Sequence, residues 1–202
     1  MKSPYSVHPS VAYIQNILAN FKSKTGRSVD EWVAFVKKEG PKTAPERRAW
    51  LKEHHQLGTN YAWWIVERCD GKGTEDGDPD AYLKMAPQYV EAMFAGNKAR
   101  LKPIYDKLLA LGLEIGKDAK ACPCKTIVPL YRQNVFAEIK PATSTRIDLG
   151  LALGKVTRKI PARIEPITTA KGNRITHRIA IHSLDDVDDF VTRWMMTAYD
   201  AK

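Results

Sequence analysis

Thr143-Ser144-Thr145-Arg146-Ile147-Asp148-Leu149-Gly150-Leu151-Ala152-Leu153 is the stretch that decides the fold. Ile147, Leu149 and Leu151 alternate with Arg146 and Asp148, the period of a strand with one buried and one polar face. The same period recurs over 125–132, 134–140 and 174–182, and 162–168 adds a shorter fifth candidate. Turn residues at Lys140-Pro141, Gly154-Lys155 and Lys171-Gly172-Asn173 separate these runs and predict antiparallel neighbours. Leu184, Val187, Phe190, Val191, Trp194 and Ala198 then recur at helical spacing, with Ser183 expected as the cap of that last helix. Strands closed by a packed helix predict an α+β domain with an antiparallel sheet.

Upstream the period is helical. Val11, Ile14, Ile17, Leu18 and Phe21 form one stripe, which Gly26 ends. Ser28 with Asp30-Glu31 opens a second helix that stops at Gly40-Pro41, and Thr43 or Ala44 opens a third with Pro45 in its first turn. Thr59 is expected to cap a fourth, from Asn60 to Arg68. Helices this short must pack on one another, which predicts a small bundle over 1–69. Residues 70–80 hold three glycines, one proline and five acids, a composition expected of a linker. Asp76, Asp78 and Asp80 alternate as in a calcium loop, but the sixth-position glycine and distal glutamate are missing. Helices over 81–95 and 97–115 follow, the second expected to start at Lys102 with Pro103 in its first turn. The α+β domain is therefore expected to span 81–202.

The chain has 202 residues, 44% of them hydrophobic and 27% charged, an ordinary globular composition. Three cysteines cannot make a disulfide framework, and no apolar run reaches the ~20 residues of a membrane span. The start, Met1-Lys2-Ser3-Pro4-Tyr5, lacks the apolar stretch of a signal peptide. These features predict a cytoplasmic protein. The formal net charge of +9 is unevenly spread: residues 122–182 carry 11 basic and 3 acidic side chains, whereas 183–202 carry 2 and 5. A segment at +8 is a candidate surface for phosphates and other polyanions.

Thr25-Gly26-Arg27-Ser28, Glu31-Trp32-Val33, Trp50-Leu51-Lys52, His55, Leu57-Gly58 and Tyr61-Ala62 together resemble a bacterial helical family described as domain of unknown function 4287. The second half resembles domain of unknown function 5655 through Leu101-Lys102-Pro103-Ile104-Tyr105-Asp106, Phe136-Ala137, Ile139, Pro141, Thr143, Thr145-Arg146-Ile147-Asp148-Leu149-Gly150-Leu151 and Thr176-His177-Arg178. Where that family has a basic pair in its first strand, Leu130-Tyr131-Arg132 holds one arginine. Relatives of the second half have been labelled transport proteins or occur fused to restriction-type nucleases. The resemblance implies the two-part organisation and no particular activity.

Candidate chemistry centres on the polar sheet face. If the strands are neighbours, Lys140, Arg146, Arg174, Arg178 and His182 gather on one side, opposite Ile147, Leu149, Ile175, Ile179 and Ile181. Guanidinium forks there suit phosphate or carboxylate. The structural alternative is a solvated face whose arginines pair with Asp148 or Glu138. His177 falls on the Ile175 and Ile179 face and is expected to be a core histidine with one hydrogen bond. A helix-turn-helix over 44–68 is disfavoured, because Tyr61-Ala62-Trp63-Trp64-Ile65-Val66 is apolar nearly all round. Asp118 with Glu138-Ile139-Lys140 has the residue types of a metal-dependent nuclease, two acids for Mg²⁺ and a lysine for the phosphate. Cys122-Pro123-Cys124 is too tight for a zinc half-site, and adjacent His54 and His55 diverge on a helix.

Asp185, Asp186, Asp188 and Asp189 are expected to charge-complement the last helix start. With no phosphate loop, nucleophile elbow or dinucleotide fingerprint, no cofactor, metal or catalytic residue is expected. The favoured reading is a non-catalytic binding module whose basic sheet face engages nucleic acid or another polyanion. The alternatives are a module for a small anionic ligand or protein partner and, behind it, the nuclease.

Overall fold

In the computed structural model, which describes residues 3–201, the chain divides into two compact units. One is Val7–Met85; the other comprises the described residues up to Ser6 and those from Ala86 onward. Met1, Lys2 and Lys202 lie outside the described residues. No helix among the described residues is long and apolar enough to cross a membrane.

The first unit is helical: α1 (Pro9–Ala19), α2 (Phe21–Thr25), α3 (Val29–Glu39), α4 (Ala44–His55) and α5 (Thr59–Cys69). Each boundary has a local cause. Gly26, at φ 83°, ends α2 in the left-handed conformation that glycine tolerates best. Ser28 and Glu31 form a reciprocal capping box at α3, and Thr43 and Glu46 form another at α4. Gly58, not the neighbouring Thr59, is the N-cap of α5; Thr59 is already helical, and no side chain caps that end. Phe21, Trp32, Val36, Leu51, Ile65 and Val66 fill the core between these helices. The acidic segment 70–80 belongs to this unit: Thr74–Asp76 makes one tight turn, and a β carbon on Gly77 would lie 2.5 Å from Leu18 Cδ1.

The second unit is α+β. Helix α6 (Pro79–Met93) crosses the boundary, and its part from Ala86 onward supplies Val90 and Met93 to this unit's core; a tight turn over Gly96–Leu101 leads into α7 (Lys102–Glu114), with Pro103 in the first turn. Six strands follow: β1 (Lys120–Ala121), β2 (Val128–Tyr131), β3 (Val135–Pro141), β4 (Ile147–Leu151), β5 (Glu165–Pro166) and β6 (His177–Ile181). They form one antiparallel sheet in the order β1-β2-β3-β4-β6-β5, and α8 (Asp189–Asp200) closes the chain. Val128, Ile139, Leu149 and Ile179 share one transverse row and Pro141, Ile147 and Ile181 another. The alternating apolar set packs with Ile104, Tyr105 and Leu108 of α7 and Val191, Trp194 and Met195 of α8. Tyr5 docks at the β1 edge: the Ser6 amide donates to the Ala121 carbonyl at 2.9 Å, and the Tyr5 and Tyr105 hydroxyls lie 3.0 Å apart.

Three details of this unit differ from the sequence-based expectation. Asp188 caps the last helix instead of Ser183, its carboxylate accepting from the Val191 amide at 3.0 Å. Ile175 lies before β6, where the alternation has not begun, and its Cγ2 closes over Gly150 beside Glu138. A register shift between Leu130 and Tyr131 leaves Phe136 as the extra residue of β3 and turns its ring into the helix-covered core, 5.3 Å from the Tyr199 ring.

Candidate functional site

The face of the sheet turned away from α7 and α8 carries Glu138, Lys140, Asp148 and Arg178. Glu138, Gly150, Arg178 and Glu165 lie in one row across four strands; Lys140, Asp148 and Ala180 lie in the next. Asp148 is the hub. One of its oxygens takes Arg146 Nε at 2.7 Å and the other takes Arg178 Nη1 at 3.0 Å. Arg178 also donates through Nε and Nη2 to Glu165, at 3.0 and 2.8 Å. Two guanidiniums therefore meet two carboxylates, and the local formal charge cancels. The hydrogen bond donated to Glu165 and the charge of Asp148 raise the Arg178 pKa further.

Of the five basic residues expected on this face, Arg146 and Arg178 are thus joined to each other through Asp148. Lys140 shares Asp148's row but makes none of the described ion pairs. His182 is exposed at the head of an acidic turn, where its amide and that of Ser183 donate to Asp186 at 2.8 and 2.9 Å. Arg174 lies beyond the other end of β6, in a separate cavity with Arg132 and Tyr199. His177 is half-buried, its Nδ1 2.9 Å from the Thr176 hydroxyl.

The open cationic site sits where β3 leaves the sheet. A cleft of about 530 Å³ is lined by Lys98, Lys125 and Lys140, with Asn97 and Thr126 between them. Lys98 comes from the tight turn before α7, and its ammonium donates to the Pro141 carbonyl at 2.6 Å. Arg100, one helical step on, donates through Nε to the Ser144 carbonyl at 2.8 Å. Carbonyl partners fix these side chains without cancelling their charge, unlike the carboxylates around Arg178. None of the described ion pairs involves Lys98, Arg100 or Lys125. Periodicity offers no way to find Lys98 and Lys125: the segments carrying them meet β3 only through long-range packing. The one local signal is the basic pair Lys98 and Arg100 after Gly96.

The residues named for nuclease chemistry are separated. Asp118 is bound to the Tyr199 hydroxyl of α8 and to Arg132 Nε, the latter at 3.1 Å, and the Tyr199 hydrogen bond holds its carboxyl below the usual range. Glu138 stands on the opposite face of the sheet, over Gly150. Burial raises its carboxyl pKa, and the Lys140 charge opposes that rise. Burial also pushes the Cys122 thiol up to about 12 and raises that of Cys124, so both stay protonated at neutral pH. Among the described residues no group of three or more His, Cys, Asp or Glu side chains is placed to hold a metal ion.

The family described as domain of unknown function 5655 matches residues 90–202, and that described as domain of unknown function 4287 matches residues 14–71. No curated protein and no solved structure matches the chain.

Proposed function

We propose that this chain, which belongs to the family described as domain of unknown function 5655, is a polyanion-binding module that takes nucleic acid in the Lys98, Lys125 and Lys140 cleft. The observation that carries this reading is the contrast in charge pairing. The arginines on the sheet face are matched by Asp148 and Glu165, whereas the three lysines line an open cleft with none of the described carboxylates bound to them. Lysine is a flexible point charge suited to a phosphate backbone, and such contacts position a strand without reading its bases. Arg100, held on the Ser144 carbonyl of the β3–β4 turn and in none of the described ion pairs, extends the same cationic end.

Fluorescence anisotropy with labelled single- and double-stranded DNA and RNA at low salt tests this reading. The wild type is expected to bind, and the combined Lys98→Ala, Lys125→Ala and Lys140→Ala variant to bind at least about tenfold more weakly, because each lost contact forgoes counterion release. Unchanged binding by that variant, or no binding by the wild type, would remove the cleft as the site.

A further inference from the structure

The cavity at the opposite end of the sheet has a different character. It measures about 420 Å³, within the range of small-molecule sites, and its wall includes Arg132, Gln133, Asn134, Phe136, Arg174 and Tyr199. Two arginines line it, and they are not equivalent. Arg132 is engaged: Nε is 3.1 Å from Asp118, Nη1 is 3.8 Å from Asp200, and the guanidinium carbon lies 4.5 Å from the centre of the Tyr199 ring. Arg174 makes none of the described ion pairs, and its Nε is shielded from water with no acceptor.

The Nε–H of an arginine and its neighbouring Nη–H project in parallel, the fork that receives two oxygens of a carboxylate or phosphate. Arg174 lines this cavity and a smaller one of about 240 Å³, and one tine of its fork is buried with no acceptor. The segment that presents it is itself fixed: Asn173 Oδ1 accepts from the Ile175 amide at 3.0 Å, and the Thr176 amide donates to the Leu151 carbonyl at 3.1 Å. Side-chain amides of Gln133 and Asn134 add hydrogen-bonding groups, and Phe136 adds an apolar wall.

We infer that this cavity is a binding site for a small oxyanion, a carboxylate or phosphate borne on a small molecule, with Arg174 as the residue that recognises the charged group. The site is separate from the lysine cleft: Arg174 lies beyond the Leu151–His177 end of the β4–β6 ladder, while Lys140 lies near its Ile147–Ile181 end. Failure of either leaves the other standing.

Nuclear magnetic resonance of the full chain tests the inference directly, through the Arg174 Nε–H signal, identified by its disappearance in Arg174→Lys. Titration with inorganic phosphate and, separately, with benzoate is expected to move that signal saturably with a dissociation constant below about 10 mM for at least one probe. The probe that saturates distinguishes a phosphate site from a carboxylate site. The response is expected to persist in the combined lysine variant of the cleft and to be lost in Gln133→Glu, which sets a carboxylate at the exposed rim. No saturable movement with either probe would overturn the inference. So would saturation of the Gln133 and Asn134 amide signals that is equally strong in Arg174→Lys.

Discussion

Gly150 sits at the middle of the open sheet face, in register between Glu138 and Arg178. A β carbon there would lie 2.7 Å from both Glu138 Cγ and Ile175 Cγ2. The glycine therefore lets side chains from two other segments close over the same spot, and that closure half-buries the Glu138 carboxylate. Burial raises its pKa, with Lys140 pulling the other way. A carboxyl whose pKa is higher in the folded state than in the unfolded one binds protons preferentially when folded. Its ionised form is a penalty on folding above the folded pKa, and the penalty vanishes below the unfolded pKa. Glu138→Gln is thus expected to raise the urea midpoint at pH 7 and to converge with the wild type below about pH 4. Equal midpoints at both pH values would mean that the carboxylate is fully hydrated in the folded protein.

At the scale of elements, α8 depends on one aspartate. Asp188 accepts from the Val191 amide at 3.0 Å, and its other oxygen takes Arg163 Nη1 at 2.6 Å. Asp188→Ala is expected to lower stability by about 1–2 kcal/mol, as loss of an N-cap does. Ser183→Ala should stay within about 0.5 kcal/mol of the wild type. Urea unfolding of the two variants checks the order, and a larger loss for Ser183→Ala would return the cap to that residue. Sequence spacing points to Ser183 because four aspartates and a serine, all good cap formers, crowd into one segment. What selects Asp188 is the exit from β6, where Asp186 ties down the amides of His182 and Ser183 before the helix can begin. The interiors of β3, β4 and β6 were legible because Ile139, Leu149 and Ile179 keep a strict period against one core. The period misleads where pairing is interrupted: at Ile175, outside the ladder, and at Phe136, where an extra residue resets the face.

Across the whole molecule, net charge is a poor guide to where an anion will settle. From residue 86 onward the chain carries 19 Lys and Arg against 12 Asp and Glu. The charge of Arg146, Arg163 and Arg178 is cancelled locally, around Asp148, Glu165 and Asp188. The uncancelled part in the lysine cleft comes from three segments far apart in sequence, so a one-dimensional charge count locates the excess but not the site. The salt dependence of nucleic-acid binding measures how many of these charges act together. If Lys98, Lys125 and Lys140 each meet one phosphate of a duplex, log K should fall with log salt at a slope of about −2.7. Each single alanine substitution should make that slope shallower by about 0.9, irrespective of DNA sequence, because no base is read. A wild-type slope near −2.7 that survives all three substitutions would place the phosphates on the arginines instead. Arg146 and Arg178 would then have to exchange Asp148 for the nucleic acid, leaving that half-buried carboxylate without its two partners. The lysines need no such exchange: Lys98 rests on the Pro141 carbonyl, Lys125 and Lys140 line the open cleft, and none of the three is in a described ion pair.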